Sequence, residues 1–368
     1  MGPDPLGMPR SSLYVAITSH GFGHAVRACS VVAAMQQQDP EVYPILATTV
    51  PRWLLAAYLP GAFHQRERAL DVGAVQSDSM TLDRAATLAQ WQQLEREWAA
   101  IVAEEAAFAR EQGASLVLGD IPPLAVPIAE AAGVPAWLMS NFGWDYIYRP
   151  WGGEFARVAD TIADCYSRSD RLFRLPMHEP MAAFPAVTDV GLVGGSPRFE
   201  ANRVRAELGI ETPPERTVLL TFGGLGLQQL PYANLRRFPD WQFITFDREA
   251  PPLPNLMPVT DAPYRPVDLM PLCGRVISKP GYSTFAEALR VGVPIASLTR
   301  EDFAEGPLLV EGLRDYAWHQ ILTPAEFLQG DWSFLHDSPQ PPRRAHALAT
   351  DGTETIAQAV IAHCRAAA

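Results

Sequence analysis

The sequence predicts an α/β chain of two doubly wound halves whose parallel sheets face a shared cleft. Three observations carry this. A strand, a glycine turn and a helix open the chain, and a second strand followed by glycines reopens the pattern near residue 218. Short strands alternate with helices after each opening, as parallel sheets require. The chain has 368 residues, 48% hydrophobic and 19% charged, which is room for two cores of ordinary size.

Taken in order, the apolar run Leu13 to Thr18 reads as a buried strand, Ser19 to His24 as a turn, and Ala25 to Gln37 as an amphipathic helix. A strand near Val42 to Ala47, a long helix near Leu82 to Glu111 and a strand at Leu116 to Gly119 follow. Next come a helix near Leu124 to Ala131 and a strand at Ala136 to Met139. Val193-Gly-Gly-Ser-Pro-Arg198 reads as a linker. A helix from Asn202 to Leu208 leads to the second opening: strand Val218 to Phe222, then Gly223-Gly224. Strand Arg275 to Ile277, turn Ser278 to Ser283, helix Thr284 to Val291 and strand Pro294 to Leu298 continue it. A last helix, Glu354 to Arg365, follows a proline-rich stretch. The expected division is 11–195, 214–350, and a terminal segment 351–368 that packs back on the first half.

The formal net charge of −12 supplies no basic excess for a phosphate backbone, so nucleic acid is not an expected partner. A local basic pocket for one pyrophosphate stays open. Cys29, Cys165, Cys273 and Cys364 form no C-x-x-C pair and have no histidine at zinc spacing, so they read as thiols in a reducing compartment. Met1 to Arg10 lacks the apolar stretch of a signal peptide, and Leu116 to Met139 is broken by Asp120 and prolines. The expectation is a cytoplasmic chain without a transmembrane segment.

Two constellations can carry chemistry. In Ser19-His-Gly-Phe-Gly-His24 the glycines allow a tight turn and close approach of backbone to a ligand. A histidine there faces the space above the sheet, so His24 reads as a proton acceptor or as a capping or packing residue. Asp120 ends an apolar strand and reads as the partner that orients that imidazole, or as an N-cap for the next helix. The second constellation, Ser278-Lys-Pro-Gly-Tyr-Ser-Thr284, leads a loop into a helix N-terminus, which favours phosphate. Lys279 adds charge or is simply solvated, and Glu287 lies one turn further, within reach of ribose hydroxyls or on the surface. Neither constellation is a P-loop, and the first is not G-x-G-x-x-G, so NAD is disfavoured. Tyr264 reads as a residue flanking a base or as ordinary loop. No two aspartates are separated by one residue, so a D-x-D metal clip is missing and no metal is expected.

Four segments together resemble one known group: His20-Gly-Phe-Gly-His24, Gly73-Ala-Val-Gln-Ser-Asp-Ser79, Asn141-Phe-Gly-Trp-Asp-Tyr-Ile-Tyr148 and Lys279-Pro-Gly-Tyr-Ser-Thr284. They are similar to the glycosyltransferase-like N-terminal region of plant L-arabinokinases. More distantly they resemble UDP-glycosyltransferases and the lipid II-forming N-acetylglucosaminyltransferase. The resemblance implies a GT-B fold, two Rossmann-like domains with the acceptor half first and the donor half second. It implies His24 and Asp120 as the catalytic pair. It implies Gly223, Gly224, Gly281, Ser283 and Thr284 on the donor diphosphate, with Lys279 and Tyr282 also in the donor site, Glu287 on the ribose, and Asp302 and Glu305 on the donor sugar. His20, Phe22, Asn141, Trp144 and Asp145 would line the acceptor pocket. The sugar-reading loop departs from the usual Asp/Glu-Gln pair, and the Gly-Leu-Ser-Ser-Ser loop of the arabinokinases' kinase domain is absent.

The implied activity is a metal-independent, inverting hexosyl- or pentosyltransferase. It would use an NDP-sugar, UDP-sugar favoured, as co-substrate with no other cofactor. The acceptor would be a small molecule, a glycan or a lipid headgroup. A non-catalytic sugar-nucleotide sensor and a sugar-nucleotide 2-epimerase are the alternatives. Trp91, Trp98 and Phe108, at helical spacing, read as core-facing or as contacts for a hydrophobic acceptor.

Overall fold

The computed structural model describes residues 11–77, 81–223, 230–260 and 263–367. Its first half is a parallel sheet of seven strands: β1 (Ser12–Ile17), β2 (Tyr43–Ala47), β3 (His64–Arg66), β4 (Ala114–Asp120), β5 (Ala136–Ser140), β6 (Arg171–Arg174) and β7 (Val187–Asp189). Their order is β3-β2-β1-β4-β5-β6-β7. The second half has six parallel strands: β8 (Thr217–Leu220), β9 (Gln242–Thr245), β10 (Leu256–Pro258), β11 (Arg275–Ser278), β12 (Ile295–Leu298) and β13 (His319–Leu322). Their order is β10-β9-β8-β11-β12-β13. Both sheets reverse direction beside their first strand, between β1 and β4 and between β8 and β11. Doubly wound sheets hold their ligands at such points.

The central strands read as continuous apolar runs because helices cover both their faces. All six residues of β1 and all four of β8 and β11 are buried. The first half supplies α1 (Phe22–Gln38), α2 (Arg52–Tyr58), α3 (Arg84–Glu111), α4 (Ala125–Ala132), α5 (Trp144–Tyr148) and α6 (Glu154–Tyr166). The second supplies α7 (Ala201–Leu208), α8 (Pro266–Leu269), α9 (Tyr282–Val291), α10 (Glu305–Tyr316) and α11 (Pro324–Gln329), and α12 (Gly352–Ala367) closes the chain. Sequence chemistry sets several ends. The Asp83 side chain accepts from Ala86 N–H to start α3, and left-handed glycines stop α4 (Gly133) and α9 (Gly292).

The terminal helix α12 lies on the first half against α1 and β4. Ile356, Ala357, Val360, Ile361 and Cys364 form its buried stripe, and Arg365 pairs with Asp39 at 2.7 Å. One core cluster runs through both halves, joining Leu13, Val31 and Val32 to Tyr282, Phe285 and Ile356. The short strands β3, β6, β7, β9, β10 and β13 lie outside the sequence reading. They have three or four residues each, too few to show a period, and β6 carries arginine at both ends. Trp91 is 1% exposed in the core of the first half, with Trp98 and Phe108 packed against that core.

Candidate functional site

Most residues of the cleft come from the turns at the carboxyl ends of strands. The turn after β1 carries His20 to His24, and Asp120 ends β4, in register with Ile17 across the pair. Thr221 to Gly223 follow β8, Lys279 to Thr284 follow β11, and Arg300, Phe303 and Glu305 follow β12. Together with Arg27 and Gln76, all of these except the buried Asp120 line one solvent-open cavity of about 750 Å³ between the halves. Gly21, at φ +71°, makes the turn into α1 possible without strain.

His24 stands in the first turn of α1 and is 7% exposed. Its Nδ1 lies 2.9 Å from Asp120 Oδ1, and Asp120 is fully buried. The sequence reading missed Arg27, one helical turn along the same face. Its Nε donates to Asp120 Oδ2 at 2.7 Å and its Nη2 to Oδ1 at 2.6 Å, a bidentate grip. Nη2 also reaches Ser140 Oγ at 3.0 Å and lies 2.9 Å from His24 Nδ1. With the second Nη2 hydrogen on Ser140, His24 donates Nδ1–H to Asp120 and keeps the Nε2 lone pair. Burial, then the Arg27 cation, holds His24 below the ordinary imidazole range against the pull of Asp120, so the ring is neutral at pH 7. Burial works against the Asp120 carboxylate, yet Arg27 and His24 keep it below the usual carboxylate range. Asp120 caps no helix: the N-cap position of α4 is Leu124.

Across the cleft, α9 begins at Tyr282 with no side-chain cap, and α1 likewise begins without one. Two helix N-termini without side-chain caps therefore converge on the cavity, beside Lys279 and Arg300. Arg300 is 4% exposed and lies over the Phe303 ring. His20 stacks on Phe303 at 5.6 Å, and its Nδ1 lies 3.1 Å from both the N–H and the carbonyl oxygen of Ala74. Burial holds His20 well below its ordinary range as well. This chemistry suits an anion held next to a neutral base. Among the described residues no three His, Cys, Asp or Glu side chains gather as a metal ligand set.

The other expected site residues fall in two groups. Phe22, Gly223, Lys279, Gly281, Tyr282, Ser283, Thr284 and Glu305 line the cavity with the histidines. Ser283 Oγ, expected to face phosphate, donates to Gly23 O at 2.6 Å, and Tyr282 OH takes the Val193 N–H. Both side chains hold the halves together. The remaining residues lie elsewhere. Glu287 is 3% exposed and accepts from the Gly195 N–H at 3.1 Å, walled by Tyr58 and Arg265, so the interdomain linker covers the carboxylate expected at a ribose. Tyr264 packs on Phe199 and donates to Glu207 away from the cavity. Asp302 faces a separate open depression beside Thr81 and Asp83. Asn141 and Trp144 are buried, Trp144 edge-on to His20 at 5.1 Å, and Asp145 is half-buried in the first turn of α5. None of the three lines the cavity, and Trp144 packs against both histidines. Gly224, Asp78 and Ser79 lie outside the described residues. Asp71, also unread in the sequence, is buried near Thr18 and Trp144, and burial lifts its carboxyl to about 7.

Solved structures now place the architecture. UGT89C1 of Arabidopsis thaliana superposes with a TM-score of 0.63 at 12% identity, over 96% of this chain and all of that one. The fold is GT-B. The spinosyn forosaminyltransferase SpnP gives 0.56 at 15% identity over 97% and 95% of the two chains. Medicago truncatula UGT71G1, solved with UDP-glucose, gives 0.57 at 13% over 95% and 93%. In sequence the chain is 31% identical to L-arabinokinase of Arabidopsis thaliana over 332 residues, 86% of this chain. It spans 31% of that protein's length. No protein-family model matches the chain.

Proposed function

We propose that this GT-B chain is a metal-independent, inverting glycosyltransferase that moves a sugar from an NDP-sugar, UDP-sugar favoured, to an acceptor hydroxyl. The observation that carries the reading is the meeting, in one cleft, of a neutral His24 ring bonded to the Asp120 carboxylate with an anion site built from two helix N-termini, Lys279 and Arg300. The fold shared with UGT71G1, whose solved complex holds UDP-glucose, supports the donor class.

The acceptor hydroxyl docks beside His24, and Nε2 takes its proton as the oxygen attacks the anomeric carbon. The new carbon–oxygen bond forms as the bond to the terminal phosphate oxygen breaks, and one displacement inverts the centre. Charge arriving on the diphosphate is met by the α9 N–H groups, Lys279 and Arg300. The dipole term is about 0.3–1 kcal/mol. Charge-assisted hydrogen bonds, about 1.5–3 kcal/mol each, outweigh it.

Calorimetry with UDP, GDP, dTDP and ADP in metal-free buffer tests the donor half. Micromolar binding of one diphosphate, weakened about tenfold in Lys279→Ala, is the expected outcome. No binding of any of the four would reduce the reading to shared fold alone.

A further inference from the structure

A continuous buried chain of polar groups crosses the cleft. Glu305, at the start of α10 in the donor half, accepts from Asn141 Nδ2 at 2.8 Å. Asn141 Oδ1 accepts from Arg27 Nη1 at 2.7 Å. Arg27 in turn grips Asp120, which takes His24 Nδ1–H. Exposure along the chain is 9% at Glu305, none at Asn141, 1% at Arg27, none at Asp120 and 7% at His24.

The polarity of this chain admits one arrangement. A guanidinium only donates and a carboxylate only accepts, so the residue between Arg27 and Glu305 must accept on one side and donate on the other. An amide does both, and this fixes which end of Asn141 faces which partner. Aspartate at 141 would meet Glu305 with like charge. Leucine would leave Arg27 Nη1 and Glu305 Oε1 without these bonds in a dry site, where each loss is expensive.

The reactive end of the chain has two choices. His24 Nδ1 is 2.9 Å from Asp120 Oδ1 and also 2.9 Å from Arg27 Nη2. If Arg27 holds its present plane, Nη2 spends its hydrogens on Asp120 and Ser140, and His24 carries its own hydrogen on Nδ1. If Arg27 turns and Nη2 donates to Nδ1, the ring hydrogen moves to Nε2, and Nε2 can no longer take a proton.

We propose that Asn141 is a positioning residue which, with Glu305, latches the two halves and holds Arg27 in the plane that leaves His24 Nε2 open as the base. The base is then assembled only when the donor loop from Arg300 to Glu305 is docked on the acceptor half. An undocked donor half leaves His24 in the wrong tautomer, which keeps an open enzyme from activating water. The proposal rests on His24 being the proton acceptor, but the latch itself is measurable without turnover.

The test is magnetic resonance on the full chain with isotope-labelled histidine, the His24 signals being assigned by their loss in His24→Gln. In wild type the ring is expected as the Nδ1–H tautomer. Glu305→Ala and Asn141→Leu should move the tautomer ratio about tenfold toward Nε2–H, the worth of one charge-assisted bond. Glu305→Gln, whose amide oxygen still accepts from Asn141, should restore the wild-type ratio. Glu301→Ala, which removes an exposed charge from the same loop, should not move it. An unchanged ratio in folded Glu305→Ala overturns the latch. If Asn141→Leu fails to fold, the contrast between alanine and glutamine at 305 decides alone. UDP calorimetry on the same wild-type sample keeps the two readings apart. No UDP binding with a shifted tautomer removes the transferase and keeps the latch, and UDP binding with an unshifted tautomer does the reverse.

Discussion

At the scale of single residues, the site turns on three charges and one neutral ring. His24 is useful as a base only while unprotonated, and burial together with Arg27 keeps it so. His24→Ala should lower kcat/KM about 10²–10⁴-fold while UDP affinity, read by calorimetry, stays within a few fold. The pH profile follows in sign. Because His24 titrates below its ordinary value of 6.5, the acid-side fall in rate should lie below pH 6.5. Arg27→Met removes the repelling cation and leaves Asp120 to stabilise the imidazolium, so that fall should move to higher pH. An unmoved acid limb in a folded Arg27→Met protein would separate the fall from His24. Arg27 left a trace in the sequence as the one charge within Ala25-Val-Arg-Ala-Cys-Ser-Val-Val32, where a buried cation needs a buried partner. What it pairs with lies 93 residues away and is not readable locally.

At the scale of elements, the loop from Arg300 to Glu305 is set by one glycine. A Cβ on Gly306 would come within 2.1 Å of the Arg300 carbonyl oxygen, and backbone cannot yield as a side-chain end can. Gly306→Ala should therefore push the loop off its seat, weakening UDP binding about tenfold or more by calorimetry while circular dichroism stays native. The helices α1 and α9 were legible because each follows a glycine turn on a buried strand. Their mutual contact through Ser283 and Gly23 was not, since a hydroxyl that suits phosphate suits a carbonyl equally well. Glu287 makes the same point: one turn past a phosphate loop it reads as a ribose ligand, and the linker reaches it first.

At the scale of the whole molecule, stability depends on surfaces that join the halves. Ile356 of α12 is fully buried in the shared core, and Ile356→Ala should cost about 2–5 kcal/mol in urea unfolding. Glu287 couples the linker to pH. Burial raises its carboxyl to about 7 from an ordinary 4.5. The stabilising protonated form is fully present below pH 4.5, and its contribution is lost as pH rises through 7. Glu287→Gln, which keeps the acceptor for Gly195 without the charge, should match wild type near pH 4.5. It should exceed wild type by on the order of 1–3 kcal/mol at pH 8. Equal unfolding midpoints at pH 8 would mean that the carboxylate is solvated after all.

By itself the sequence determined the class of fold, the two openings, and the His24 and Asp120 positions. Buried parallel strands write continuous apolar runs, tight turns demand glycine, and such turns place their residues above a sheet; all of this is local. Only the tertiary structure decided which polar groups share a bond. It joined Arg27, Asp120, Asn141 and Glu305 into one buried chain and turned Trp144 and Glu287 away from the cleft. The reason is physical: a polar side chain removed from water must bond whatever lies within about 3 Å, and its neighbours there come from strands and loops distant in sequence.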